Sequence, residues 1–212
     1  MKFAIITQTG HIRHQNKWYA FEPYVREMNL WGQHVSEVKI IAPVVDEENL
    51  DIYSAYENKN ISLIRVPIIN LASFVNTILT IIKLPIISFR ILKVMFWADH
   101  IHLRCPGEIG FIGCVLQIFF PSKLKTAKYA GNWDPKSKQP LSYRVQKRIL
   151  SNTFLTRNMQ VLVYGKWENQ TKNIIPFFTA SYSENEIENV VNFINSQPTN
   201  EIRKDITDEI IT

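Results

Sequence analysis

Four short stretches carry side chains able to hold or activate a polar substrate. His11, Arg13 and His14 closely follow the first apolar run. An imidazole there can hydrogen-bond a hydroxyl or relay its proton; the alternative is a solvated loop. Gly10 beside them lets the backbone approach a sugar or phosphate, with helix-start N–H groups nearby to meet negative charge, or it marks a plain strand-to-helix turn. In the run His100, His102, Arg104 the polar residues alternate, so on a strand they share one face. Arg104 at its carboxyl end suits a phosphate or carboxylate. The two histidines have no third ligand nearby, which argues against a metal site, and one of them reads as a core residue. Trp133 with Asp134, and again Trp167 with Glu168, pairs a flat ring for a sugar face with a carboxylate for its hydroxyls, or else anchors a loop. There is no G-x-G-x-x-G and no Walker loop, so a self-sufficient nucleotide site is not expected.

Such residues need a scaffold, and the pattern supplies one. Apolar, β-rich runs at 2–7, 37–43, 62–67, 100–104, 125–129 and 160–164 predict six strands, and 177–182 a seventh. Helical spacing is expected over 18–31 (ended by Gly32), 71–96, 108–120 and 141–154, with a last short helix from Ser183 to about Ile194. Residues 8–17 read as a loop, and the polar segment before the third strand has room for a short helix. Strands alternating with helices, several of them continuously apolar, specify an α/β fold with a doubly wound, mostly parallel sheet. Ligands of such sheets bind beyond the carboxyl ends of the strands. That singles out the loops at 8–17, 104–108, 131–138 and 165–168.

The chain has 212 residues and a formal charge of +5. Seven of the 19 acidic but only two of the 24 basic residues lie from Glu184 onward, so a basic body carries an acidic tail. A basic body favours anionic partners: sugar-nucleotide phosphates, a phospholipid surface or nucleic acid. The basic residues are dispersed and no nucleic-acid reading motif is present, so nucleic acid is not the expected partner. Cys105 and Cys114 form neither a disulfide framework nor a metal motif, and a reducing cytoplasm is expected. Met1 and Lys2 run straight into the first strand, which does not read as a signal peptide.

The order of the loops resembles the N-terminal, acceptor-side domain of GT-B glycosyltransferases, of the glycosyltransferase 4-like type. The residues that carry the resemblance are the strand leading to Thr9-Gly10-His11 and then a helix, the run from His100 to Gly107, the run from Lys128 to Asp134, and the strand from Val161 towards Trp167. It covers roughly residues 1–184, with 185–212 as a short helix and acidic tail. The resemblance implies a Rossmann-like single domain, one half of a GT-B fold, that positions a glycan or lipid-linked acceptor for transfer from a nucleotide sugar. Gly10, His11, Arg13, Arg104, Trp133 and Asp134 would line the acceptor site; no catalytic residue is assigned. In the family a second Rossmann-like domain grips the donor through a Glu-x7-Glu motif. Glu201 and Glu209 share that spacing, but the flanking residues read as tail. The chain is therefore expected to bind no cofactor alone and to need a donor-binding domain or subunit. The competing expectation is a non-catalytic binding or membrane-recruitment module of the same fold.

Residues 71–96 are long enough to span a bilayer, yet Lys83, Pro85, Arg90 and Lys93 argue against a simple span. A basic, apolar helix with Phe89, Phe96 and Trp97 suits an interfacial segment on an anionic membrane, or packing against the sheet. Arg144, Lys147 and Arg148 on the later helix would face the same surface.

Overall fold

The computed structural model describes residues 1–69 and 74–177, with side chains at 1–69 and 80–177. They lie within one compact unit, Met1–Thr179. The expected helix from Ser183 and the acidic tail fall outside the described residues. In chain order the elements are β1 (Lys2–Ile6), β2 (Ile12–His14), β3 (Lys17–Phe21), α1 (Glu22–Gly32), β4 (Glu37–Ala42), β5 (Tyr53–Ala55) and β6 (Ile61–Arg65). There follow α2 (Phe74–Trp97), β7 (His100–Cys105), α3 (Glu108–Leu116), β8 (Leu124–Tyr129), α4 (Leu141–Leu150), β9 (Met159–Val163) and β10 (Ile174–Pro176).

Seven strands form one sheet in the order β10-β9-β8-β7-β1-β4-β6, every pairing parallel. The chain winds from β1 out to β6, then returns to β7 on the other side of β1 and winds out to β10. The fold is therefore α/β, Rossmann-like and doubly wound, with its switch point between β1 and β7. Both faces of the central strands are buried, which is why β1 reads as an unbroken apolar run while the polar residues of β7 and β8 are themselves buried. Phe3, Ile5, Val38 and Ile40 pack with Tyr24, Val25 and Met28 of α1 on one face. Ala4, Ile6, Leu103, Ala127 and Val161 pack with residues of α2, α3 and α4 on the other. Helix α3 lies close to the sheet because Gly110 and Gly113 face it. A Cβ at Gly110 would collide with the Arg104 carbonyl oxygen, and one at Gly113 would come 2.9 Å from Leu103 Cδ2.

Several expectations need correction. Residues 8–17 are not all loop, and the first helix does not start at Trp18. Instead β2 and β3 form a hairpin joined through Gln15 and Asn16, at φ 45° and 62°, the turn a two-residue hairpin requires. Strand β5 adds to β3, giving a three-stranded antiparallel sheet, where a short helix had seemed to fit. Helix α1 then begins at Glu22, with Pro23 in its first turn, where the missing N–H costs nothing. The seventh strand is Ile174–Pro176; Phe177 follows it, and 178–182 lie outside the described residues. The later helices are also shorter than their patterns. Helix α3 tightens into a 3-10 turn at Gln117–Phe119, and α4 stops at Leu150.

Candidate functional site

At the switch point the loops after β1 and β7 leave in opposite directions and are tied across the gap. The Gln8 side-chain oxygen accepts from the backbone N–H of Glu108, at 2.6 Å, and of Ile109, at 3.3 Å. Gln8 thus occupies the amino end of α3, a place where an anion would otherwise gain from the helix dipole. Gly107, at φ 155°, lets Gln8 in: a Cβ there would lie 2.9 Å from the Gln8 oxygen. Gly10 is not backed by a helix start, because β2 follows it; a Cβ at Gly10 would press on Val45 at 3.1 Å.

His11 is fully buried. Its Nδ1 lies 2.8 Å from the Thr9 carbonyl oxygen, which can only accept, so Nδ1 carries the proton and Nε2 accepts from the Tyr56 hydroxyl at 2.7 Å. Burial lowers its pKa to about 4. His11 is a neutral pin between the β1 loop and the residue after β5, and its ring stacks on Tyr56. Arg13 points elsewhere: exposed on the hairpin, its guanidinium lies 4.8 Å over the Trp18 ring.

Arg104 sits where its position at the end of β7 predicted, and two residues that the sequence did not single out join it. Its Nη1 donates to Glu27 Oε2 at 3.0 Å, and Lys128 Nζ lies 3.2 Å from the same oxygen. Arg104 and Lys128 are register partners on β7 and β8, so their side chains emerge on one face. Glu27 reaches them from α1, where Tyr24, Glu27 and Met28 share the inward face. Rings surround the cations: Tyr24 lies 5.3 Å from the Arg104 guanidinium, and Phe177 and Tyr164 lie 3.8 Å and 5.0 Å from Lys128 Nζ. Lys128 is fully buried, and burial lowers its pKa, against the neighbouring Glu27, which raises it. Glu27 Oε1 is buried without a hydrogen-bond partner. Burial raises the Tyr24 pKa to about 12. Two cations share one carboxylate, so the cluster keeps a net positive charge.

Trp133 is buried, donates through Nε1 to Gln170 at 3.0 Å and packs edge-on to Tyr129. Its ring has no open face for a sugar. Asp134 is half-buried; its Oδ1 accepts from the Lys136 N–H at 2.8 Å in a local turn. His100 and His102 are both core residues: each lies within hydrogen-bond reach of Thr126 Oγ1, at 3.0 and 2.8 Å, beside Phe3 and Trp31. Among the described residues no three His, Cys, Asp or Glu side chains converge as metal ligands. A cleft of about 930 Å³ opens at the opposite, amino edge of β7, β8 and β9, beside His100, Lys125 and Asn158.

The basic helix residues divide. Lys83, Lys93, Arg144 and Arg148 are exposed. Arg90 donates to the Arg65 carbonyl, and Lys147 Nζ donates to the Asp134 carbonyl at 3.1 Å, so these two also brace loops. No helix among the described residues is long and apolar enough to cross a membrane. Compared with known proteins, the chain matches no family model and no curated protein.

Proposed function

We propose that this chain is the acceptor-side half of a GT-B-type glycosyltransferase, which holds a glycan or lipid-linked acceptor while a second domain or subunit presents a nucleotide sugar. The observation that carries the reading is the polar cluster Glu27, Arg104 and Lys128 at the switch point of a doubly wound sheet. Buried charges with unmade hydrogen bonds cost stability, and such arrangements concentrate at functional sites. The place is also where this class of sheet binds ligands. The residues act by position. Arg104 and the exposed parts of the 8–10 and 131–134 loops orient the acceptor so that its hydroxyl meets the sugar carbon. The charge developing on the leaving phosphate is met mainly from the donor side. His11 and Trp133 shape those loops from beneath, and Arg13 belongs to the hairpin.

The second reading, a membrane-recruitment module, is favoured by α2. Ile81, Ile82, Leu84, Ile86 and Phe89 are all exposed there, interleaved with Lys83 and Lys93. The two readings combine naturally if the acceptor is lipid-linked, with the protein peripheral on a cytoplasmic membrane face.

The test is transfer of labelled sugar from a panel of nucleotide sugars to membrane lipid extract, by this chain alone and with neighbouring open reading frames co-expressed. Activity on co-expression is the expected result. No transfer in either arm, with tight vesicle binding, replaces the transferase reading with recruitment.

A further inference from the structure

The ionic cluster at the switch point has an internal imbalance that names the ligand it would take. Arg104 and Lys128 both converge on Glu27 Oε2, at 3.0 and 3.2 Å, and leave Oε1 unpartnered. An ammonium has three donors. Lys128 Nζ is directed at Oε2 alone, at 3.2 Å, and is otherwise met by the rings of Phe177 and Tyr164. A lysine placed only to pin α1 to the sheet would be expected to direct its donors at the carboxylate, and Oε1 would be used. Instead donors stand in reserve behind a guanidinium whose side chain is 19% exposed. Phe177 and Tyr164 are themselves only half-buried.

We propose that Arg104 and Lys128 form an oxyanion subsite for a phosphate or diphosphate group, with Glu27 holding the two cations in place until the ligand arrives. The guanidinium fork offers two parallel donors to adjacent phosphate oxygens, and the ammonium adds a point charge behind it. A carboxylate ligand has fewer oxygens to share between them. The location rests on the reading of the switch point as the ligand site; the binding itself needs no sugar transfer. The phosphate could belong to a nucleoside diphosphate or to a polyprenyl phosphate, and the chemistry at Arg104 and Lys128 is the same for both.

The experiment is thermal unfolding and calorimetric titration of the full chain with inorganic pyrophosphate, against chloride at matched ionic strength. Parallel arms use a nucleoside diphosphate, and phosphatidylcholine vesicles with and without a polyprenyl phosphate. Pyrophosphate is expected to raise the melting temperature where chloride does not, and whichever phosphate-bearing arm binds names the source. Lys128→Met and Arg104→Gln should each weaken binding roughly tenfold or more. If Lys128→Met does not fold, Arg104→Gln, altered at the exposed side of the cluster, carries the same test. A pyrophosphate response no greater than that of chloride, or one unchanged in Arg104→Gln, overturns the proposal and leaves a structural ion cluster. Anion binding without sugar transfer would keep the subsite and remove the transferase reading; transfer without anion binding would do the reverse.

Discussion

At the scale of single residues, the buried histidines make the fold sensitive to acid. Burial lowers His11 from 6.5 to about 4 and His102 from 6.5 to about 3, so both are neutral in the native state. The unfolded chain takes up a proton at each as pH falls through about 6.5. Below that point the unfolded state binds more protons than the native one, and stability drops with pH until the native pKa values are reached. The full contribution is present near neutrality, and roughly 2 kcal/mol per histidine is lost by about pH 5. Urea titrations across that range should show the loss, and His11→Leu should remove its share of the slope; a flat profile would mean that neither ring is held neutral. Glu27 is the second residue whose removal should be felt. Glu27→Ala leaves Lys128 buried without a counter-charge and should cost about 3 kcal/mol, read as a shift in denaturant midpoint. Arg104 could be read from the sequence because a strand's carboxyl end is a fixed place in this architecture. Glu27 and Lys128 could not. Glu27 left one local sign, an acid on the same helix face as Tyr24 and Met28. Nothing in the run from Leu124 to Tyr129 marks one lysine for a carboxylate and the other, Lys125, for the Phe120 carbonyl at 2.9 Å. The Glu27 partner of Lys128 is fixed by the packing of α1 on the sheet, whereas Lys125 meets a carbonyl only five residues back.

Among the elements, α3 is the most closely seated, and its two glycines should respond differently to a methyl group. Gly110→Ala meets the Arg104 backbone carbonyl, which cannot turn aside, so α3 must lift from the sheet. Overpacking of this kind costs about 1–3 kcal/mol, more than the helix propensity returned by alanine. Gly113→Ala meets the ends of the Leu103 and Ile6 side chains, which can shift, and should be close to neutral. Melting temperatures of the two variants give the order; equal losses would mean that α3 yields as a rigid unit. Strands β1, β4 and β9 were legible because burial on both faces leaves a largely apolar run in each. The hairpin of β2 and β3 was not. Trp18 and Tyr19 fit a helical spacing as well as an alternating one, and the partner that decides the matter is β5, more than 30 residues along the chain.

At the scale of the whole molecule, length explains why α2 is exposed. Its 24 residues rise about 36 Å, whereas a six-residue strand spans about 20 Å. Arg90 reaches the Arg65 carbonyl at the carboxyl end of β6, so the helix is longer than the sheet can cover on that side. Residues 81–86 are accordingly exposed on every side, Ile81 and Ile82 by 62% and 68%. The direction matters, because α2 runs antiparallel to the strands: its exposed stretch, residues 81–86, lies towards the carboxyl edge, the edge that holds Arg104 and Lys128. A lipid bilayer would take up Ile81, Ile82 and Phe89 and bring the switch-point loops towards the headgroup layer, while Lys83 and Lys93 stay among the phosphates. Cosedimentation with vesicles containing phosphatidylglycerol should therefore exceed that with phosphatidylcholine alone and weaken with salt. Replacing Ile82 and Phe89 together by serine should reduce it roughly tenfold or more, since each apolar side chain withdrawn from water contributes about 1.5–3 kcal/mol. Lys83→Glu with Lys93→Glu should remove the preference for anionic lipid while sparing the apolar part of the binding. If sedimentation is indifferent to both lipid charge and the serine pair, the projecting helix serves a protein contact instead, and the membrane part of the proposed function falls while the switch-point site stands.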